Sequence, residues 1–76
     1  MSRVRVLVVD DEPAILGTLK KALSLEGYGV EVAGGVGIAL ERAAKETFDA
    51  ALLDVQLPDG NGLELLQKLR AESPDL

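Results

Sequence analysis

The chain has 76 residues, no cysteine and no histidine, and a formal net charge of -5 at pH 7. So short a chain makes at most one small domain and buries only about 60% of its unfolded surface. Disulfide staples, thiolate metal sites, Ser-His-Asp triads and histidine acid–base chemistry are excluded within it, and its acidity argues against direct nucleic-acid contact by this segment.

Hydrophobic residues make up 47% of the sequence, which is a globular and not a disordered composition. No apolar run approaches the roughly 20 residues of a membrane span. Met1-Ser2-Arg3-Val4-Arg5 leads straight into a strand pattern without the apolar region of a signal peptide, so a cytoplasmic protein is expected.

Val4 to Val9 is the first predicted strand. Val6 to Val9 are consecutively apolar, as in a parallel strand covered on both faces. Asp10-Asp11-Glu12-Pro13 then reads as a loop and helix start, with Pro13 in the first turn and acids that can cap free N–H groups. A helix is predicted from Ala14 to about Glu26, with Ile15, Leu16, Leu19, Ala22 and Leu23 on one face. Gly27 stops it. Tyr28 to Ala33 is a second strand, whose alternation of Val30, Glu31 and Val32 suggests a sheet edge.

Gly34-Gly35-Val36-Gly37 fits neither glycine-rich phosphate-loop pattern. It reads as a loose loop and a poorly capped helix start. A helix from Val36 to Glu46 follows, with Ile38, Ala39, Leu40 and Ala43 as its inner side, and Phe48 closes the turn. Ala50 to Val55 is the third strand. A Pro/Asp/Gly/Asn loop leads to a helix from Asn61 to Glu72, with Asn61 and Glu64 spaced as a capping box. Leu63, Leu65, Leu66 and Leu69 supply its apolar face, Ser73-Pro74 ends it, and Asp75-Leu76 is a stub.

The order is βαβαβα. Right-handed crossovers and the longer apolar runs of the first and third strands give a parallel sheet of order 2-1-3. The chain reverses direction across the first strand, and ligands bind at the carboxyl ends of strands beside such a switch point. Asp10, Asp11 and Asp54 fall there. Neighbouring strands are about 4.8 Å apart, so these carboxylates repel unless a cation lies between them. No Lys or Arg occupies either loop. All-oxygen ligands favour Mg²⁺, Mn²⁺ or Ca²⁺, and a carboxylate beside such an ion can attack phosphorus. Glu12 and Asp59 read as caps or solvated loop residues.

Val6-Leu7-Val8-Val9-Asp10-Asp11-Glu12-Pro13 and Leu52-Leu53-Asp54-Val55-Gln56-Leu57-Pro58-Asp59-Gly60-Asn61-Gly62 together resemble the receiver (CheY-like) domain of two-component response regulators. The wording of the second segment also resembles the NtrC-like group of transcriptional activators. The resemblance spans the chain and implies a truncated flavodoxin-like α/β fold, with three strands and three helices. It implies that Asp54 accepts a phosphoryl group from a histidine kinase. It further implies that Asp10, Asp11, Asp54 and the backbone carbonyl of Gln56 hold Mg²⁺.

A family receiver has five strands and five helices, so residues 1–76 are expected to be a partial domain. The Ser/Thr of the fourth strand and the Lys of the fifth have no counterpart; Lys45 and Lys68 fall on helices. Impaired phosphorylation of the isolated segment is therefore expected, as is a homodimer or higher self-association through the open third strand. A self-associating half-domain without chemistry is the alternative. A phosphatase reading is disfavoured, because Gln56 stands where such enzymes place a second Asp.

Overall fold

A computed structural model describes residues 3–74 and 76. Met1, Ser2 and Asp75, the last of these in the predicted stub, lie outside the described residues. The elements are β1 (Arg5–Val9), α1 (Pro13–Leu25), β2 (Gly29–Ala33), α2 (Val36–Lys45), β3 (Ala50–Leu53), β4 (Gln56–Leu57), β5 (Gly60–Asn61) and α3 (Gly62–Glu72). The first three strands form a parallel sheet in the order β2-β1-β3, as the run lengths imply. β4 and β5 make a small antiparallel hairpin where the sequence suggested only a loop.

Side chains alternate across a strand, so β1 feeds two cores. Leu7 and Val9 face α2 and α3, where they meet Ala39, Phe48, Leu57, Leu65 and Leu69. Val6 and Val8 face the other way and, with Val30, meet Leu16, Leu19 and Leu23 of α1. Every buried side chain named here is apolar. β3 has β1 as its one neighbour in the sheet. Its Leu52, directly paired in register with Val8, remains 47% exposed.

The first helix ends where its chain must turn sharply. Gly27 takes φ 93, a left-handed conformation that favours glycine, and donates its N–H to Ser24 O at 3.0 Å. At the other end of α1, Glu12 occupies the cap position without a side-chain hydrogen bond, so the expected capping by Glu12 is not made. Asn61 does cap α3, accepting from Leu63 N–H at 2.7 Å. The Glu64 half of a capping box is not found among the described residues.

Four apolar residues placed inward by the sequence pattern are exposed, Ala22 among them. Ile38 is 48% exposed and Leu63 is 60% exposed, while Ile15 sits at 37% on the flank of α1. At about 100° per residue, Leu63 lies about 160° round its helix from the buried Leu65. Ile38 is similarly displaced from the stripe made by Val36, Ala39, Leu40 and Ala43. The actual inner stripes are narrower than the apolar composition suggested.

Candidate functional site

The first and third strands each carry an aspartate one step beyond their last residue. Asp10 N–H donates to Ala33 O at 3.1 Å, and Asp54 N–H donates to Val9 O at 2.9 Å. These bonds extend the parallel ladders by one rung and fix both backbones before the loops begin. The third strand is therefore shorter than the Ala50-to-Val55 expectation: Asp54 stands at its exit and not within it. The two carboxylates are then held by the same local device. Asp10 Oδ1 accepts from Glu12 N–H at 3.0 Å, and Asp54 Oδ1 accepts from Gln56 N–H at 3.2 Å. Each bond spans two residues, the pattern of an Asx turn, and leaves the second oxygen uncommitted.

Asp11 joins them from the loop. One carboxylate oxygen from each of Asp10, Asp11 and Asp54 lies within 4.8 Å of the other two. Asp10 and Asp54 are half-buried, and Asp11 is exposed. Beside them runs a crevice of about 140 Å³, lined by Val8, Val9, Leu19, Leu52 and Leu53 together with Asp10 and Asp54. The apolar wall lowers the local dielectric and so strengthens any charge interaction at its mouth.

Those distances bear on which ion the donors fit. Oxygens on opposite sides of Mg²⁺ are about 4.2 Å apart, and on opposite sides of Ca²⁺ about 5 Å apart. The acidic group is thus already close to a coordinating spread. Among the described residues the ion pairs are Arg5–Glu46 and Arg42–Glu31, both away from the cluster. No protein cation among them offsets the three carboxylates, and the residues present fit a hard divalent ion.

The loop that follows Asp54 is built more firmly than its composition suggests. Gln56 pairs with Asn61 and Leu57 with Gly60 across the β4–β5 hairpin, and Leu57 is buried in the α2/α3 core. Gly62 N–H donates to Val55 O at 2.8 Å. A side chain at Gly62 would collide with the carbonyl of Asp54, so glycine is required for this approach. Gln56, named from sequence for its carbonyl, is thereby fixed next to the acidic group.

Asp59, read from sequence as a cap or a solvated loop residue, is a cap, but of a helix to which the sequence did not connect it. Asp59, at the hairpin tip, caps α2 from across the fold: Val36 N–H donates to its Oδ1 at 2.7 Å and Gly37 N–H to its Oδ2 at 3.0 Å. These bonds, that from Gly37 foremost, hold its carboxyl below the usual aspartate value. Gly34-Gly35-Val36-Gly37 is accordingly not a poorly capped start. The signal was present in two halves, an aspartate in a turn and glycines at a helix start, but nothing in one dimension connects them.

Fold and site together define a class: a doubly wound parallel α/β module with an acidic cluster at its topological switch point. Residues 6–76 match the family model described as the response regulator receiver domain. The chain belongs to that family, whose members are signalling modules of two-component systems and not, in general, enzymes. It is 45% identical over 73 residues to the probable transcriptional regulatory protein TcrX of Mycobacterium tuberculosis, covering 96% of this chain and 31% of TcrX. A solved CheY-like receiver domain protein from Methanospirillum hungatei superposes with a TM-score of 0.92 at 45% identity, over 96% of this chain and 58% of that one. Response regulator TrrA of Thermotoga maritima, solved in complex with Mg²⁺ and BeF, gives 0.85 at 38% identity, over 93% and 62% respectively. TrrA has also been solved in complex with the histidine kinase ThkA. The chain thus spans about a third of its curated relative and about three-fifths of these solved chains. The chemically silent half-domain is not favoured by these matches.

Proposed function

We propose that this receiver accepts a phosphoryl group on Asp54 with Mg²⁺ held by Asp10, Asp11, Asp54 and the backbone carbonyl of Gln56. The single observation that carries the reading is the convergence of three carboxylates within 4.8 Å at the ends of β1 and β3. The donor is a phosphohistidine of a partner histidine kinase, by analogy with the TrrA–ThkA complex. In the transfer, the uncommitted Asp54 oxygen attacks phosphorus, the P–O bond forms, and the P–N bond to the imidazole breaks. Bound Mg²⁺ supplies neutralisation of the carboxylates and of the phosphoryl oxygens. Asp10 and Asp11 contribute negative charge that binds the ion, and the Gln56 N–H keeps Asp54 oriented. The same reading makes the protein cytoplasmic and assigns it to transcriptional control through an output region of a longer chain.

The described residues bring no cation to Asp54, so phosphorylation of the 76 residues alone should be slower than that of a chain extended to its relatives' length. Exposed Leu52 and Val55 beside the one-sided β3 support self-association through that strand. Sedimentation at micromolar concentration tests this; a monomer that unfolds cooperatively contradicts it.

The phosphoryl reading is tested by incubating the protein with Mg²⁺ and acetyl phosphate and measuring intact mass. One phosphoryl adduct is expected, absent in Asp54→Asn and absent without Mg²⁺. An adduct that persists in Asp54→Asn, or none on either this chain or a longer one, would remove Asp54 from the role.

A further inference from the structure

The Asp59 contact is unusually complete for a surface turn. Both carboxylate oxygens are used, on two successive N–H groups of α2, and the residues around them are shaped for the approach. A Cβ on Gly35 would stand 2.7 Å from Asp59 Oδ1, and a Cβ on Gly60 would stand 2.8 Å from the Val36 side chain. Gly35 has φ -175, extended backbone open to any residue, so local conformation does not demand glycine there. Its role is to leave room for Asp59. Gly60, Leu57 and Asp59 thus seat the hairpin on α2 through one backbone contact, one buried side chain and one charge-assisted pair of hydrogen bonds.

The other root of the hairpin is Gln56, which pairs with Asn61 and donates to Asp54. A short rigid piece therefore connects the acidic cluster to the N-terminus of α2. We propose that Asp59 is a positioning residue for the Asp54 cluster: by clamping the β4–β5 hairpin to α2 it fixes the Gln56 carbonyl and the Asp54 carboxylate in the arrangement a divalent cation requires. The inference rests on the Mg²⁺ reading of that cluster and extends it to a residue that does not touch the ion. Groups that orient metal ligands from outside are worth about ten- to a hundredfold in affinity. The lower end applies here, because Asp59 acts through the backbone of Gln56.

Magnesium affinity of the full chain, measured by calorimetric titration, separates the possibilities. Asp59→Ala should bind Mg²⁺ about tenfold more weakly and should lose hydrogen-exchange protection at the Val36 and Gly37 amides. Asp59→Asn removes the charge but keeps one acceptor, and should recover most of the affinity. Gly35→Ala keeps the charge but displaces the carboxylate, so it should weaken binding in the wild type and have no further effect in Asp59→Ala. Far-UV circular dichroism verifies that each variant is folded, and the Asn and Gly35 variants carry the test if Asp59→Ala is not. Equal affinity for wild type and Gly35→Ala, or an Asn variant as weak as the Ala variant, overturns the positioning role. A wild type that itself binds no Mg²⁺ overturns the underlying reading instead, and is recognised because all titrations are then flat.

Discussion

The two faces of the central sheet are built to different standards. On the face covered by α2 and α3, Leu7, Val9, Leu65 and Leu69 are at most 2% exposed. On the opposite face α1 contributes no fully buried residue, and Leu16, Leu19 and Leu23 only lean on Val6, Val8 and Val30. Both faces hang on the same strand. The difference bears on what surrounds the aspartates at the end of the sheet. The hairpin and the Asp59 cap continue the well-packed half, while the ladder bonds to Asp10 and Asp54 lie in the plane of the sheet between the two. The crevice beside Leu19 and Leu52 opens towards the thinner one.

This contrast can be broken by mutation. Leu65→Ala should have the largest effect, about 2–5 kcal/mol, because it empties a closed core position. For a domain of this size that approaches the whole stability, so the urea transition should be lost or shifted close to zero denaturant. Leu19→Ala, on the thinner face, should lower stability by only about 1 kcal/mol in the same experiment. If Leu19→Ala equals Leu65→Ala, the faces are not distinct. Acid should narrow the contrast, by removing the Asp59 cap from the well-packed half. The Asp59 carboxyl has a lowered pKa when folded, so its stabilisation is complete above the usual aspartate value of about 3.9 and is lost as pH falls through the lower folded value. Denaturation measured between pH 6 and 2 should show the gap between wild type and Asp59→Ala constant at first and closing in the acid. A gap that widens in acid reverses the sign. Smallest of all, Leu52→Ala at the open edge should change stability by less than about 0.5 kcal/mol.

Much of this was legible in the chain. The continuous apolar runs of β1 and β3 and the alternation in β2 were enough to order the strands, since continuous apolar runs require cover on both faces. Carboxylates immediately after two such runs had to meet at the switch point. What escaped were features set by three-dimensional contact. Ile38 and Leu63 are apolar residues near a stripe but turned from it, and composition cannot resolve the rotation of a short helix. The β4–β5 hairpin has only two residues per strand, too few to display a period. Asp59 meets its partners 23 and 22 residues away. Its significance becomes visible only once α2 has been placed beside the loop.

The cation site itself is tested most directly by paramagnetic broadening of the amide resonances with substoichiometric Mn²⁺. Broadening should centre on Asp10, Asp11 and residues 54–56, fade towards the Arg5–Glu46 end of the sheet, and be reversed by excess Mg²⁺. Broadening spread evenly over the acidic surface, or centred on Asp49 or Asp59, would contradict a site formed by the carboxylates of β1 and β3.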